Sequence, residues 1–442
     1  MQSNFLSTPT DCPTRERAGW TGDIQIFAPT AMLMADVQSY LHRYLRNVAA
    51  EQYEDGRIPP FIPSADSKFV GRSIICKITS SSAGWGDAST FIPWSLYQHY
   101  GDLSILRKQY ASMKKWVTFL ECTARQNRSW RRWLLGGPAA VEQYVVDTSF
   151  HWGEWMRPGE ESVWSWIKGI FLFPSAAVPT AYLAESSRLL AQTAKLLGHV
   201  EDEAYYSQLA LNVKEAWVKS FVGEGGRRIA EDKQDDYVRA LQFKLLPAEM
   251  ESAAIQRLLE LVQGAGHHLG TGFLSTRHLI PTLCNSGHSE AAFRVLLQDS
   301  PPSWLYPIKL GATTIWETWP GYNDKGDAYM SHNHYAFGAI SGWLIEGLVG
   351  LLPETPGWRR IRIAPQIGGG ITSASATVET PFGELESKWE IVGDSGDVSM
   401  CHTIPPGTTA ELFLGGKGPH NMSSGTHLVL WRKGAKRPEV LA

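Results

Sequence analysis

The stretch from Ala28 to Gln52, APTAMLMADVQSYLHRYLRNVAAEQ, decides the fold class. Met32, Leu33, Val37, Tyr40, Leu41, Tyr44 and Leu45 recur at spacings of three and four, the period of a helix that buries one face, and predict a single amphipathic helix. Outward from it the same period covers about Thr90–Tyr100, Leu103–Arg125, Ser175–Leu197, Glu201–Val222, Asp235–Leu246, Glu249–Gln263, Arg277–Ser286, Glu290–Gln298 and His334–Leu351, with a further segment open near Ala312–Trp316. The helices come in pairs joined by long loops, which predicts a closed helical toroid over residues 1–352. After Pro353-Glu354-Thr355-Pro356-Gly357 the period falls to two, in Arg360–Ile363, Ser373–Thr380 and Leu385–Val392, with Gly and Pro turns between. Residues 353–442 are therefore expected to form a small β-sandwich.

The whole chain of 442 residues exceeds what one core normally serves, in keeping with one large and one small domain. Hydrophobic residues make up 43% against 19% charged, and 18 Trp, 15 Tyr and 16 Phe exclude a disordered chain. A balance of 41 Lys+Arg against 44 Asp+Glu leaves a net charge of -3, no footprint for nucleic acid or an anionic membrane. A neutral or small polar ligand fits better. The five cysteines, Cys12, Cys76, Cys122, Cys284 and Cys401, are scattered without CxxC spacing, so neither a disulfide framework nor a zinc ribbon is expected. Met1–Leu6 has no basic region or apolar run of leader type, which makes the cytoplasm the default compartment unless a leader precedes the chain. Tyr335–Leu352 comes nearest to a membrane span, but Glu346 and four glycines interrupt it.

The densest chemistry lies in Thr10-Asp11-Cys12-Pro13-Thr14-Arg15-Glu16-Arg17-Ala18-Gly19-Trp20-Thr21-Gly22-Asp23, three carboxylates and two arginines in a Gly/Pro-punctuated segment. Charge alone would suit a solvated loop. Trp20 between two glycines argues for a sugar site, which needs an apolar face for stacking and carboxylates for hydroxyls. In Gly311-Ala312-Thr313-Thr314-Ile315-Trp316-Glu317-Thr318-Trp319 a single carboxylate stands between indoles, where burial would suit it to acid/base duty. Glu16 and Glu317 form the pair that glycoside hydrolysis requires, one protonating the leaving oxygen and the other acting on water or the anomeric carbon.

Trp85-Gly86-Asp87 and Trp152-Gly153-Glu154-Trp155 repeat the aromatic-plus-carboxylate theme and are candidates to complete a sugar pocket. For His332-Asn333-His334-Tyr335 the preferred reading is a helix cap by Asn333 with His334 as a substrate contact, since no Cys or acid stands at a zinc spacing. Gly266-His267-His268-Leu269-Gly270-Thr271-Gly272 lacks the Gly-Lys-Ser/Thr ending of a phosphate loop, so no nucleotide site is expected.

These stretches resemble the α-L-rhamnosidases of glycoside hydrolase family seventy-eight. The resemblance runs from Asn4-Phe5-Leu6 through Asp11–Asp23, Ala83–Ala88, Gly270-Thr271-Gly272-Phe273, Pro302–Pro307, Gly311–Trp319 and Asn333–Gly338. It continues in Ile363-Ala364-Pro365, Glu379–Gly383 and Pro405–Thr408 of the tail. It implies an (α/α)6 barrel followed by a C-terminal β-sandwich, releasing terminal α-L-rhamnose by inversion without a cofactor or metal. Carried over by motif, Glu16 would be the general acid and Glu317 the general base. Asp11, Trp20, Asp23, Trp85, Asp87 and His334 would shape the rhamnose pocket, and Arg15, Trp152, Glu154, Trp155, Trp316 and Trp319 are further candidates for the substrate site from their own place in these segments. Inversion would set the two carboxyl groups about 6.5–9.5 Å apart.

The chain departs from the family at two places. Gly153-Glu154-Trp155 stands where the family has Gly-Asp-Trp, one methylene shorter. The segment Asn4-Phe5-Leu6 normally follows several β domains and the first barrel helix, so this chain is expected to lack that helix; ten helical segments are legible where the barrel has twelve. A barrel short of a helix exposes apolar flanks, which predicts poor solubility, a homo-oligomer or a rearrangement. The expected partner is a rhamnosylated small molecule or oligosaccharide. Two other functions stay open: a rhamnoside-binding relic without catalysis, and a polysaccharide lyase using His334 and Tyr335.

Overall fold

The computed structural model describes residues 1–64, 74–126, 129, 132, 134, 141–167, 169, 175–393 and 395–441. Ala28–Gln52 forms parts of two helices, not the single one its spacing predicts: α1, Thr21–Met34, and α2, Gln38–Glu51. The break has a local cause. The Asp36 carboxylate accepts the Gln38 amide at 3.0 Å, satisfying a donor that the head of α2 would otherwise leave orphaned. In α1 the side chains of Ile24, Ile26, Phe27, Ala28, Thr30, Ala31, Met32 and Leu33 are all buried. A helix without an exposed face carries no amphipathic period, so its first turns gave no signal.

The helices α3 (Ile74–Thr79), α4 (Ala88–Tyr100), α5 (Leu103–Gln126), α6 (Val163–Ile167), α7 (Ala177–Leu197) and α8 (Val200–Phe221) follow. A short hairpin of β1 (Val222–Gly223) and β2 (Arg228–Ile229) leads to α9 (Gln234–Gln242), α10 (Ala248–Gly264), α11 (Phe273–Asn285), α12 (Ser289–Leu296) and α13 (Leu305–Lys309). Gly198 turns α7 into α8: it takes φ 79°, and the amides of Gly198 and His199 return to the carbonyls of Lys195 and Ala194 at 3.2 and 2.9 Å. The α9 helix packs against α10 and α11, and α11 against α12.

Two expected helices differ. Ala312–Trp316 is not helical, because its neighbourhood bonds across the chain: Glu317 N donates to Ser331 O at 2.9 Å and His334 N to Ile315 O at 2.8 Å. The helix expected over His334–Leu351 begins two residues later and is irregular, a 3-10 turn at Ala336–Ala339, α14 at Ile340–Trp343 and a π turn at Leu344–Val349. Gly350 ends it at φ 87°, where a Cβ would lie 2.4 Å from the Ala364 carbonyl carbon. No helix among the described residues is long and apolar enough to cross a membrane.

The chain forms two compact units. The first comprises Met1–Phe27, Leu41–Trp94 and Leu106–Gly338, and is helical. The second comprises Ala28–Tyr40, Ser95–Ile105 and Ala339–Ala442, and holds the remaining strands. These are β3 (Leu351–Pro353), β4 (Arg360–Ile363), β5 (Ser373–Thr380), β6 (Gly383–Val392), β7 (Asp397–Ile404), β8 (Thr409–Leu414), β9 (Lys417–Met422), β10 (Gly425–Trp431) and β11 (Glu439–Val440). They make a sheet in the order β3-β4-β8-β9 and another in the order β11-β10-β7-β6-β5, antiparallel except for β4 beside β8. Ile361, Ile363, Leu412 and Met422 from the first share one core with Val378, Leu385, Trp389, Met400 and Val429 from the second, which makes a sandwich.

Candidate active site

The loop ahead of α1 is fixed by its own backbone. Asp11 N donates to Ala18 O at 2.9 Å and Ala18 N to Asp11 Oδ1 at 3.0 Å, while Asn4 Nδ2 donates to the carbonyls of Thr10 and Asp11. Gly19 is held against a neighbouring segment so closely that a Cβ would stand 2.1 Å from Ile62 O. The loop thereby presents Asp11, Arg15, Glu16 and Trp20, and the first turn of α1 adds Asp23.

These five residues line one pocket with Trp85 from the loop before α4, Trp152 and Trp155 from the loop before α6, Phe273 at the start of α11, and Glu317, Met330 and His334 from the segment after α13. Its volume is about 270 Å³, near the lower end of the ~300–1,000 Å³ of small-molecule sites and of a size for one sugar ring. The rings form a continuous wall: Trp20 meets Trp152 edge-on at 5.9 Å, Trp152 meets Trp155 at 5.2 Å, and Trp85 meets Phe273 at 5.4 Å. Among the described residues, Trp85 Nε1, Trp152 Nε1 and His334 Nδ1 are buried without a hydrogen-bond partner. A buried polar atom without a partner is uncommon, and a polyhydroxylated ligand would supply one.

Arg15 joins the two glutamates. Its Nη2 stands 3.1 Å from Glu16 Oε1 and 3.0 Å from Glu317 Oε2, and its Nη1 donates to the Met330 sulfur at 3.3 Å. Glu16 is 41% exposed and accepts Trp20 Nε1 at 2.7 Å; Glu317 is 4% exposed and accepts Ser331 N at 3.0 Å. One carboxyl group therefore sits at the mouth and the other at the base. Deeper in, His334 Nε2 meets Asp23 Oδ1 at 2.8 Å, both buried. Burial alone would lower the imidazole, but the Asp23 carboxylate, with Glu317 and Asp11 nearby, lifts it to about 9 and keeps it cationic. Burial and the charge of Asp23 push Asp11 up to about 7.

Asp11, Cys12 and Glu16 bring donor atoms within 4.8 Å of one another. The Cys12 thiol donates to Asp11 Oδ2 at 2.5 Å, and burial together with that carboxylate pushes its pKa well up. A metal would need the thiolate.

Four residues expected at the substrate site lie outside the lining. Asp87 is fully buried and accepts Trp116 Nε1 at 2.9 Å, Ser186 Oγ at 2.5 Å and Gly84 N at 2.7 Å, so it anchors the loop that carries Trp85. Glu154 is buried against Arg239 and Ser275. Trp316 stacks on His332 at 4.2 Å, and Trp319 packs against Phe337 at 4.3 Å and Trp304 at 5.8 Å, so both back the Glu317 segment from behind. Asn333 does not cap a helix: its Nδ2 donates to Ser3 Oγ at 3.1 Å. Two further residues, Phe273 and Met330, also line the pocket. Phe273 closes the Gly270-Thr271-Gly272 run, a signal in reach, whereas nothing near Met330 marks it out.

Residues 1–348 match the model of the bacterial alpha-L-rhamnosidase 6 hairpin glycosidase domain, and residues 350–428 that of the bacterial alpha-L-rhamnosidase C-terminal domain. An alpha-L-rhamnosidase of Formosa agariphila is 34% identical over 100% of this chain and 45% of its own length; one from Streptomyces avermitilis is 34% identical over 94% and 36%. Among solved structures, the Streptomyces avermitilis alpha-L-rhamnosidase complexed with L-rhamnose gives a TM-score of 0.81 at 32% identity, over 97% of this chain and 40% of that one. The native Aspergillus terreus enzyme gives 0.85 at 32%, over 98% and 48%. The chain spans less than half the length of each of these relatives. The chain has the helical barrel of six-hairpin glycosidases followed by a β domain. With identity at this level along the full chain and one domain model giving way to the next between residues 348 and 350, the chain belongs to the bacterial alpha-L-rhamnosidase six-hairpin glycosidase family.

Proposed function

We propose that this chain hydrolyses terminal α-L-rhamnosides with inversion, Glu16 acting as general acid and Glu317 as general base. The observation that carries the reading is the pair of glutamates facing one aromatic-walled pocket and sharing Arg15 Nη2. Glu16, at the mouth, protonates the departing glycosidic oxygen where an aglycone leaves toward solvent. Glu317, held by Ser331 N, takes the proton of the water that attacks the anomeric carbon from the opposite face. The shared nitrogen keeps the nearest glutamate oxygens within about 6 Å of each other, short of the ~6.5–9.5 Å spacing of inverting enzymes, so inversion requires the two carboxyl groups to part before a water fits between them. On this reading Arg15, one-third exposed, has to leave the two glutamates for the water to enter.

The substrate class follows from the wall. The indoles take the apolar face of the ring, Phe273 and Met330 suit the methyl group of a 6-deoxyhexose, and Asp11, Asp23 and His334 reach its hydroxyls. The L-rhamnose complex of the Streptomyces avermitilis relative supports that choice. The test is release of nitrophenol from p-nitrophenyl α-L-rhamnopyranoside beside the α-L-fucoside and β-D-glucoside. Turnover of the rhamnoside, lost by at least ~10³-fold in folded Glu317→Gln, is the expected result. Binding of L-rhamnose without turnover by the wild type would make the chain a rhamnoside-binding protein instead.

A further inference from the structure

Glu154 touches no part of the pocket, yet it sits between two residues that do, Trp152 and Trp155. Its side chain is fully buried. Oε1 accepts Ser275 N at 2.8 Å; Oε2 accepts Ser275 Oγ at 3.1 Å and pairs with Arg239. Ser275 lies two residues beyond the pocket residue Phe273, whose own amide donates to Trp155 O at 3.0 Å. Just before Phe273, Gly272 approaches so closely that a Cβ would stand 2.2 Å from Trp155 O. Arg239, in α9, is braced in turn by Asp235 at 3.2 Å and Asp236 at 3.9 Å, and Asp235 is held by Arg157 at 2.8 Å. One carboxylate thus fastens the Trp152–Trp155 loop to the start of α11 and both to α9.

We infer that Glu154, through its pairing with Arg239 and Ser275, is a positioning residue that sets the spacing of Trp152, Trp155 and Phe273, three of the five rings in the pocket wall. A buried carboxylate fits this duty because its two oxygens accept from two directions at once, and an unpaired one would be costly, so the segments have a single stable apposition. The inference rests on the proposed rhamnoside site for its kinetic readout and stands apart from it in its spectroscopic one.

The experiment compares wild type, Glu154→Gln and Glu154→Asp. The glutamine keeps the shape and an acceptor for Ser275 N but turns a donor toward Arg239, which Asp235 and Asp236 still pair, so the fold is expected to survive. With p-nitrophenyl α-L-rhamnopyranoside, KM rises about tenfold or more in Glu154→Gln while kcat stays within about threefold, as loss of ground-state ring contacts requires. Glu154→Asp, which restores the charge on a shorter stem, recovers part of the difference. The near-ultraviolet circular dichroism of the indoles changes in Glu154→Gln with the far-ultraviolet spectrum unaltered, and this signal needs no substrate. Unchanged KM and unchanged near-ultraviolet spectra in a folded Glu154→Gln would overturn the inference, as would a loss confined to thermal stability. If wild type failed to turn the rhamnoside over, the activity would fall and the spectra alone would decide on Glu154.

Discussion

Glu154 and Glu317 look alike in the sequence, each a glutamate beside tryptophans in a glycine-bearing loop, and both side chains are buried. Their surroundings separate them. The cation of Glu154 is Arg239, 3% exposed and fixed by two aspartates, and Ser275 fills the remaining acceptor positions. The cation of Glu317 is Arg15, 34% exposed and shared with Glu16, and the carboxylate opens onto a pocket. A saturated carboxylate holds structure, whereas one whose partner can leave is available to a substrate. The difference lies in residues 85 and 302 positions away along the chain, which flanking sequence does not reveal.

If that distinction is right, charge removal at the two sites gives opposite results. Glu317→Gln abolishes turnover, by ~10³-fold or more, with little change in stability, whereas Glu154→Gln keeps kcat. The cations reverse the order of stability. Arg239→Ala leaves buried carboxylates unpaired and is expected to cost about 3–5 kcal/mol in urea unfolding, against about 1 kcal/mol or less for the partly exposed Arg15→Ala. Equal losses in the two variants would erase the distinction.

A smaller effect sharpens the pocket side. His334 is raised from 6.5 to about 9 and faces the carboxylates of Asp23, Glu317 and Asp11. Because the folded state holds this proton more tightly than the unfolded chain, its contribution is full below pH 6.5 and is lost as pH rises through about 9. The gap in thermal midpoint between wild type and His334→Gln should therefore close over that window. A gap that widened with pH would mean that the imidazole is neutral. The smallest effect expected is Ser275→Ala, which removes one contact to Glu154 at 3.1 Å while keeping the amide at 2.8 Å. It should lower stability by about 1 kcal/mol and shift KM less than Glu154→Gln does.

Much of this molecule was legible in sequence where one face of an element is buried. The strands Arg360–Ile363 and Ser373–Thr380 fall where the period of two placed them, and α2 shows the one-sided burial of Leu41, Tyr44, Leu45 and Val48. The first half of α1 was silent because it is buried all round, and the break at Asp36 because one side-chain acceptor outweighed a continuous apolar pattern. Glu16, Glu317, Asp11, Arg15, Trp20, Asp23, Trp85, Trp152, Trp155 and His334 line one pocket. Asp87, Glu154, Trp316 and Trp319 stand one layer behind, since a motif marks a segment as part of a site without saying which of its side chains face inward.

Proton NMR of the sugar first released from an α-L-rhamnoside, recorded before mutarotation, reads the proposed mechanism from its product. Two glutamates acting on the bond and on water from opposite faces predict β-L-rhamnose as the first product, with no signal in Glu317→Gln. Initial α-L-rhamnose, or no rhamnose from folded wild type, would contradict it.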